Sequence, residues 1–420
     1  MFRGFAMKGV SDRRYMRAAL RVARLGMGRT HPNPRVGALA VREGRVLGVG
    51  AHLAYGGAHA EAALIERLGA AGLRGATLYV TLEPCDHQGK TPPCTEAILR
   101  ARPARVVVAM EDPHPLVRGR GLARLRRGGI AVESGICRAA ALRLNAPFLW
   151  AQTRGRAFLT LKVACGLDGR LAAADGSSRW ISSPRSRSEV HRWRAESDAI
   201  LIGMGTLERD RPRLTARPPA DPLHRLRSRL QAPPWPPAPV RVVVDSESRA
   251  GEREDLLEHL GTTEGGRWII ACGKGASTAA RKRLAKRGVR CWVLPREDGS
   301  SRVSLAALAE RCASEGLLDV MVEGGGALAT ALIRDRLIDR LRIFVAPRLL
   351  GGDRGWLVDP GWGSMVDGWQ LEPERIRRFA SDVLVEALSP DARGWIEDAG
   401  GGTGTSGSRQ EESAGVHGDH

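Results

Sequence analysis

His59, Glu61, Cys85 and Cys94 are the residues of this 420-residue chain whose types and spacing could do chemistry together. One imidazole and two thiols make a ligand set for zinc. Three protein ligands leave one tetrahedral position open, the pattern of a catalytic rather than a structural zinc. Zinc held in this way acidifies a bound water enough for attack on an electrophilic carbon near neutral pH. Glu61, two residues beyond the histidine, stands where a general acid/base is needed. The set predicts a hydrolase acting on an amino-substituted ring.

The elements around these residues must bring them to one point. Ser11 is a suitable N-cap for a helix to about Gly26, with Met16, Ala19, Leu20 and Ala23 at helical spacing. The prolines of His31-Pro32-Asn33-Pro34 end it. Two short strands, 36–41 and 46–49, flank a hairpin signal at Glu43-Gly44. A helix over 60–68 follows His59. Residues two apart point to nearly opposite sides of a helix. His59 and Glu61 can therefore serve one metal only at the helix N-terminus, where the dipole favours a bound hydroxide. A strand over 77–82 delivers Cys85, and Cys94 opens a helix over 95–100. A strand over 106–110, a basic helix over 122–127 and a helix and linker over 136–156 complete this half. Its βαβαβ order predicts a three-layer α/β domain with the site at strand ends and helix starts.

Length favours two domains. The second begins with a strand over 158–164 and alternates strands and helices to a strand over 340–345, and the return of its last strands without long crossovers predicts another α/β unit with a mixed sheet. Within it, residues 217–239 are rich in proline and arginine and read as a loop of low order. Glu323-Gly324-Gly325-Gly326 follows a strand and opens a helix, so its backbone amides could cradle a dinucleotide phosphate. It is not the six-residue Rossmann fingerprint. Residues 1–10 read as a loose leader, and 390–420, rich in glycine and serine, as a disordered tail.

The net charge of +19 suits nucleic acid or a small phosphorylated substrate. The arginines are dispersed, with no basic block beside interleaved aromatics, which favours the small substrate. Seven cysteines, an odd number, argue against a disulfide framework and for a reducing, cytoplasmic setting. Cys137, Cys165, Cys272, Cys291 and Cys312 read as small buried hydrophobes. No apolar run is long enough for a membrane span, and the segment from Met1 to Gly9 has no secretory core.

His-x-Glu at a helix start, then Pro-Cys and a second cysteine at another helix start, is the signature of zinc-dependent nucleobase deaminases. Nucleic-acid and nucleoside deaminases commonly place two residues between the cysteines; here there are eight. This spacing, the intact Cys85-x-His87-x-Gly89-x-Thr91-Pro-Pro-Cys94 run and His31-Pro32-Asn33-Pro34 closely resemble the deaminase half of the bifunctional riboflavin-biosynthesis deaminase–reductases. Leu161-Lys162, Leu167-Asp168-Gly169-Arg170, Trp180-Ile181-Ser182 and Asp198-Ala199-Ile200-Leu201 resemble the reductase half of the same family. The resemblance spans about 11–388.

It implies a cytidine-deaminase-like α/β domain over 11–152 and a dihydrofolate-reductase-like α/β domain over 157–389. It also implies deamination of 2,5-diamino-6-(5-phosphoribosylamino)pyrimidin-4(3H)-one and then reduction of its ribosyl group to ribityl with NADPH. Asn33, His52, His87 and Lys90 would contact the pyrimidine or its ribose phosphate. NADPH would lie along Ala164, Trp180, Thr206, Asp210, Gly325 and Gly326. Ser178, Arg194, Leu214, Arg217 and Glu323 would hold the reductase substrate. Zinc and NADPH are the implied cofactors, and a homo-oligomer formed through the reductase domain the implied assembly, with no nucleic-acid or membrane partner. The chain departs from the family pattern at His114 and Arg211, where asparagine is expected, and at Gly166, where serine is. The competing reading is a zinc-dependent nucleic-acid or nucleoside deaminase with an accessory binding domain.

Overall fold

The computed structural model describes residues 6–88, 92–112, 117–218, 220–235, 238–262 and 266–401. The first half is built from helix α1 (Ala6–Ala23), strands β1 (Gly37–Arg42) and β2 (Arg45–Ala51), helix α2 (Ala60–Leu73), strand β3 (Thr77–Val80), helix α3 (Cys94–Ala101), strand β4 (Arg105–Val108), helix α4 (Arg120–Arg127), strand β5 (Ala131–Ser134) and helix α5 (Arg138–Arg154). The sheet order is β2-β1-β3-β4-β5. β1 runs antiparallel to both its neighbours, while β3, β4 and β5 are parallel. Glu43 and Gly44 both take positive φ, 50° and 77°, the requirement of a two-residue hairpin turn matched to strand twist. One sheet face packs under Met16, Leu39, Tyr79 and Leu149, the other under Leu64, Leu78, Ile98 and Leu122. A Cβ on Gly50 would sit 2.2 Å from the Ala60 carbonyl oxygen. Glycine there lets β2 lie directly against the start of α2, and this contact carries His52 to His59.

The second half holds β6 (Phe158–Cys165), α6 (Pro184–Glu196), β7 (Ala199–Gly203), α7 (Met204–Asp210), α8 (His224–Arg229), β8 (Val240–Val244), α9 (Glu254–Thr262), β9 (Trp268–Gly273), α10 (Thr278–Lys286), β10 (Arg290–Leu294), α11 (Leu305–Ser314), β11 (Asp319–Val322), α12 (Gly326–Arg334), β12 (Arg340–Val345), β13 (Glu372–Phe379), β14 (Asp382–Leu388) and α13 (Pro390–Gly401). The nine-stranded order is β10-β9-β8-β7-β11-β6-β12-β14-β13. Only the β14 pairings are antiparallel, so the expected mixed sheet is found. Helices cover both faces over two apolar layers.

Three segments differ from the sequence reading. Residues 6–10, expected as leader, belong to α1, in keeping with the helix-forming Ala6, Met7 and Lys8; residues 1–5 lie outside the described residues. The Pro/Arg-rich stretch 217–239 contains α8. Leu223, Leu226 and Leu230 fall on one side of it and pack with Val22, Leu25 and Ala51 of the first half. A three-residue apolar stripe was enough to order a segment whose composition reads as loop.

The third is the tail, whose first part is α13. Ser389 Oγ accepts the Ala392 N–H at 3.2 Å, Pro390 occupies the first turn as helix starts allow, and Ala392, Trp395 and Ile396 meet Trp150 and Phe158. Residues 402–420 lie outside the described residues. Ile396 is 5% exposed, so Ile396→Ala should cost about 2–4 kcal/mol. A thermal midpoint equal to the parent's would show that α13 contributes nothing.

The two halves share packing. Leu318 and Ala313 enter the apolar layer of Met16 and Phe148, and Arg24 meets Glu196 at 2.8 Å. Among the described residues, no helix is long and apolar enough to cross a membrane.

Candidate active sites

His59 is the N-cap of α2, with extended backbone (φ −68°, ψ 157°), and Glu61 lies in the first turn. Cys85 follows β3, and Cys94 is the first residue of α3. The Cys85 sulfur accepts the Cys94 N–H at 3.4 Å, and the Cys85 carbonyl accepts the Thr95 N–H at 3.2 Å. Two helix starts thus converge on one point, each presenting its positive end.

His59 Nδ1 stands 3.5 Å from Cys85 Sγ and 3.3 Å from Cys94 Sγ, and the three ligand atoms lie within 4.8 Å of one another. Tetrahedral zinc with bonds of roughly 2.0–2.3 Å needs such separations. The donor chemistry fits as well. The hydrogen bond from Cys94 leads in bringing the Cys85 thiol down to about 4, while the same contact and burial drive the Cys94 thiol up. A divalent cation bound between them would hold both sulfurs as thiolates. Glu61 is 3% exposed; burial, then the Cys85 charge, pushes its carboxyl up to about 7.

His59, Glu61 and Cys85 line a cleft of about 520 Å³ with Asn33, His52, His87, Glu83, Phe148 and Gln152, a volume suited to a small molecule. Three of the four residues expected at the pyrimidine are therefore present; Lys90, like the departure at His114, lies outside the described residues. Both ring nitrogens of His52 are engaged. Nδ1 donates to the Ala58 carbonyl at 3.0 Å, and Nε2 accepts from the Asn33 amide at 3.2 Å. His52 thus ties Asn33 to the residue preceding His59, and its burial holds its pKa below the ordinary histidine value.

Sequence reasoning missed Glu83. Its carboxylate accepts the backbone N–H groups of Asp112, Gly119, Gly121 and Leu122 at 2.9–3.3 Å, fixing the start of α4 and one wall of the cleft. The signal was an acid two residues before a ligand cysteine. Asp86 similarly joins Thr95 and Arg124, each at 2.6 Å.

In the second half the chemistry collects at the C-terminal ends of β6, β7 and β11. Glu323, immediately after β11, accepts Arg194 Nε and Nη2 at 2.6 and 2.8 Å, and Lys162 Nζ stands 4.0 Å away. The Arg194 fork is thus turned onto Glu323, and its remaining Nη1 reaches the Thr215 carbonyl at 3.2 Å. Burial lowers the Lys162 ammonium below the usual lysine range.

Thr206 Oγ1 takes the Gly325 N–H at 3.3 Å, joining α7 to the glycine turn. A Cβ on Gly326 would fall 2.5 Å from the Gly355 carbonyl oxygen, so glycine is required there. The Arg209 guanidinium lies beside Gly325, a cation that sequence reasoning did not single out. Ala164 is half-buried, while Ser178, Asp210 and Arg217 are exposed. Trp180 is 62% exposed under the Arg187 guanidinium. The Leu214 side chain is buried with Trp193, Met204 and Leu207.

The two described departures have local explanations. A Cβ at Gly166 would meet Asp168 Oδ1 at 2.6 Å and the Arg348 carbonyl at 2.7 Å, so serine fits only if the 348–351 loop draws back. Arg211 caps α7 at φ 39° and pairs with Asp255 at 2.5 Å. Asparagine bears left-handed backbone more easily, and an exposed ion pair contributes little. Arg211→Asn should therefore stabilise slightly, by under about 1 kcal/mol; a lowered thermal midpoint would show that the pair outweighs the backbone.

A three-ligand zinc site with a buried acid beside it, on one α/β sheet, and an Arg–Glu–Lys cluster at the strand ends of a second, define a zinc-dependent deaminase fused to a reductase. Comparison with known proteins agrees. Residues 10–110 match the cytidine and deoxycytidylate deaminase zinc-binding region, and residues 157–385 match the RibD C-terminal domain. The chain is 38% identical to the riboflavin biosynthesis protein RibD of Escherichia coli, over 90% of this chain and 100% of that one. It is 36% identical to the RibD of Bacillus amyloliquefaciens, over 90% and 96%. The crystal structure of a diaminohydroxyphosphoribosylaminopyrimidine deaminase/5-amino-6-(5-phosphoribosylamino)uracil reductase from Thermotoga maritima superposes with a TM-score of 0.75 at 31% identity, covering 91% of this chain and 99% of that one. The chain belongs to the bifunctional RibD family and carries the deaminase and reductase of riboflavin biosynthesis. Its second half is a reductase rather than an accessory binding domain.

Proposed function

We propose that the first half deaminates 2,5-diamino-6-(5-phosphoribosylamino)pyrimidin-4(3H)-one and that the second reduces the product's ribosyl group with NADPH. The observation that carries this reading is the ligand triangle beside Glu61 in a cleft lined by Asn33, His52 and His87. His59, Cys85 and Cys94 would hold zinc, which when bound supplies a water acidified toward neutral pH. Asn33, held by His52, orients the ring by its amide. Glu61 carries a proton to a ring nitrogen and then to the departing amine. His87 would contact the pyrimidine or its ribose phosphate, a role the same reading gives Lys90.

In the reductase, NADPH supplies the hydride. The backbone of Gly325 and Gly326, with Thr206 behind it, cradles the cofactor phosphates, while Ala164, Trp180 and Asp210 border the rest. Glu323, oriented by Arg194, faces the sugar. Ser178 and Arg217 are exposed and free to meet the substrate, and the Leu214 backbone shapes the turn between them. The seven cysteines are all free, which suits the cytoplasm. Self-association through the reductase domain belongs to the same reading, and that domain leaves Met365, Val366 and Ile376 exposed.

The test is incubation of the zinc-loaded protein with the diaminopyrimidine, with and without NADPH, following ammonia and NADPH absorbance. Ammonia should appear without NADPH, and absorbance should fall only after ammonia has formed. Absence of ammonia would overturn the assignment of the first step, and ammonia without NADPH consumption that of the second.

A further inference from the structure

The turn that brings Asn33 to the deaminase cleft is fastened on both sides by the reductase domain. Before it, His31 Nδ1 meets Asp198 Oδ2, with the two side chains 2% and 7% exposed. Among the described residues His31 Nε2 has no partner, so the ring's polar bonding is this one link. Asp198 is itself fixed, since the same oxygen accepts the N–H groups of Leu318 and Asp319 at 2.9 and 2.8 Å. After the turn, Arg35 Nη2 reaches Asp319 Oδ2 at 3.0 Å. The Arg35 N–H and carbonyl are clamped by the Asn145 side chain at 2.8 and 3.0 Å. Pro32, between the anchors, packs against Gly316 in the turn from α11 to β11, where φ is 77° and a Cβ would come 3.4 Å from the proline ring.

Asp198 and Asp319 stand at the N-terminal ends of β7 and β11, whereas Glu323 follows the C-terminal end of β11. Glu323 lies four residue steps beyond Asp319 along the strand, roughly 13 Å. The anchors therefore touch the deaminase wall and not the reductase chemistry.

We propose that Asp198, acting through His31, is a positioning residue for the deaminase step, so that the reductase domain completes the deaminase substrate site. The role rests on the assignment of Asn33 to the substrate. Displacement of a substrate-orienting group by about 1 Å can cost on the order of a hundredfold in rate, and the loss of a buried link beside Asn33 should show a sizeable part of that.

The experiment uses the full-length zinc-loaded protein with His31→Ala, His31→Gln, His31→Phe and Asn33→Ala. Ammonia release from the diaminopyrimidine reports the first step. NADPH oxidation, with the deaminated compound supplied directly, reports the second. His31→Ala should lower deaminase kcat/KM by about tenfold or more, mostly through kcat, with one zinc per chain kept and the reductase rate within twofold of the parent. His31→Gln, whose amide can still donate to Asp198, should recover most of the loss. Deaminase kcat/KM within twofold of the parent in His31→Ala overturns the proposal. So does a parallel fall of both activities with loss of zinc, which marks the link as merely structural. Should His31→Ala not fold, His31→Phe, which keeps a planar ring and removes the group that meets Asp198, is read by the same criteria. If Asn33→Ala is silent while the His31 variants fall, the Asn33 contact fails, and with it the positioning role that rests on it. If Asn33→Ala falls and the others are silent, the positioning role fails alone.

Discussion

Glu61→Gln is expected to lower ammonia release by about three orders of magnitude while the protein keeps one zinc per chain. General acid–base groups contribute roughly 10²–10⁴ to rate, and the lower part of that range applies to groups that water can replace. Water has little access to Glu61, which is 3% exposed at the first turn of α2. Glutamine has the same shape and can fill the same space, so neither the cleft nor the His59, Cys85 and Cys94 triangle need move. What it lacks is a proton that can be taken and given.

The contrasting substitution is Cys85→Ser. It removes a ligand that accepts the Cys94 N–H and lies 3.5 Å from His59, and it should lose most of the metal. Zinc content and ammonia release measured together separate the two. In both variants NADPH oxidation with the deaminated compound supplied should continue, because the reductase cluster lies beyond the far end of β11. Parent-like deamination in Glu61→Gln would sink the proton-carrying role.

Much of this site was legible in the sequence because short-range geometry decides it. His59 and Glu61 are two apart at a helix start, and the only place where both can meet one ion is off that helix N-terminus. The structure puts them there. Cys85 and Cys94 are nine apart yet adjoin because Cys94 opens a helix whose first N–H groups turn back onto Cys85. The alternation of strands and helices gave both sheets and the mixed character of the second, while the β13–β14 hairpin that supplies its antiparallel pairings was not read from the sequence.

What was illegible depended on distant partners. Asp198 reads as the residue before a buried strand. Its pairing with His31, 167 positions away, follows only from the docking of the two halves. Glu83 carries no pattern that announces four backbone donors. Nothing local to Arg194 reveals that Glu323 occupies its fork. The α8 and α13 helices were hidden by composition: proline and arginine around Leu223 and Leu230, glycine and aspartate around Trp395. In each case a short apolar stripe finds a surface on another part of the chain, and tertiary burial overrides the local reading.

Glu323→Ala is expected to abolish NADPH consumption and to destabilise the reductase domain by about 3–5 kcal/mol, the cost of breaking a buried pair from one side. The acid stands between two cations, Arg194 at 2.6 Å and Lys162 at 4.0 Å. Arginine cannot shed its proton, so its charge is left in place without an anion. Lysine can, and the burial that already lowers Lys162 would lower it further once the carboxylate is gone.

The pH dependence has a definite sign. Burial by itself would raise the Glu323 carboxyl, but Arg194, and then Lys162, hold it below the ordinary glutamate value. A carboxyl depressed in the folded state contributes stability that is fully present above its unfolded value, near 4.3. That contribution is lost as pH falls through the lower folded-state value. Thermal midpoints of the parent should therefore fall below about pH 4, and the part due to this carboxyl should vanish in Glu323→Gln. That variant keeps the side-chain shape and should still release ammonia from the diaminopyrimidine. An acid-limb slope equal to the parent's in Glu323→Gln would show that the cluster is not what holds the C-terminal ends of β6 and β11 together.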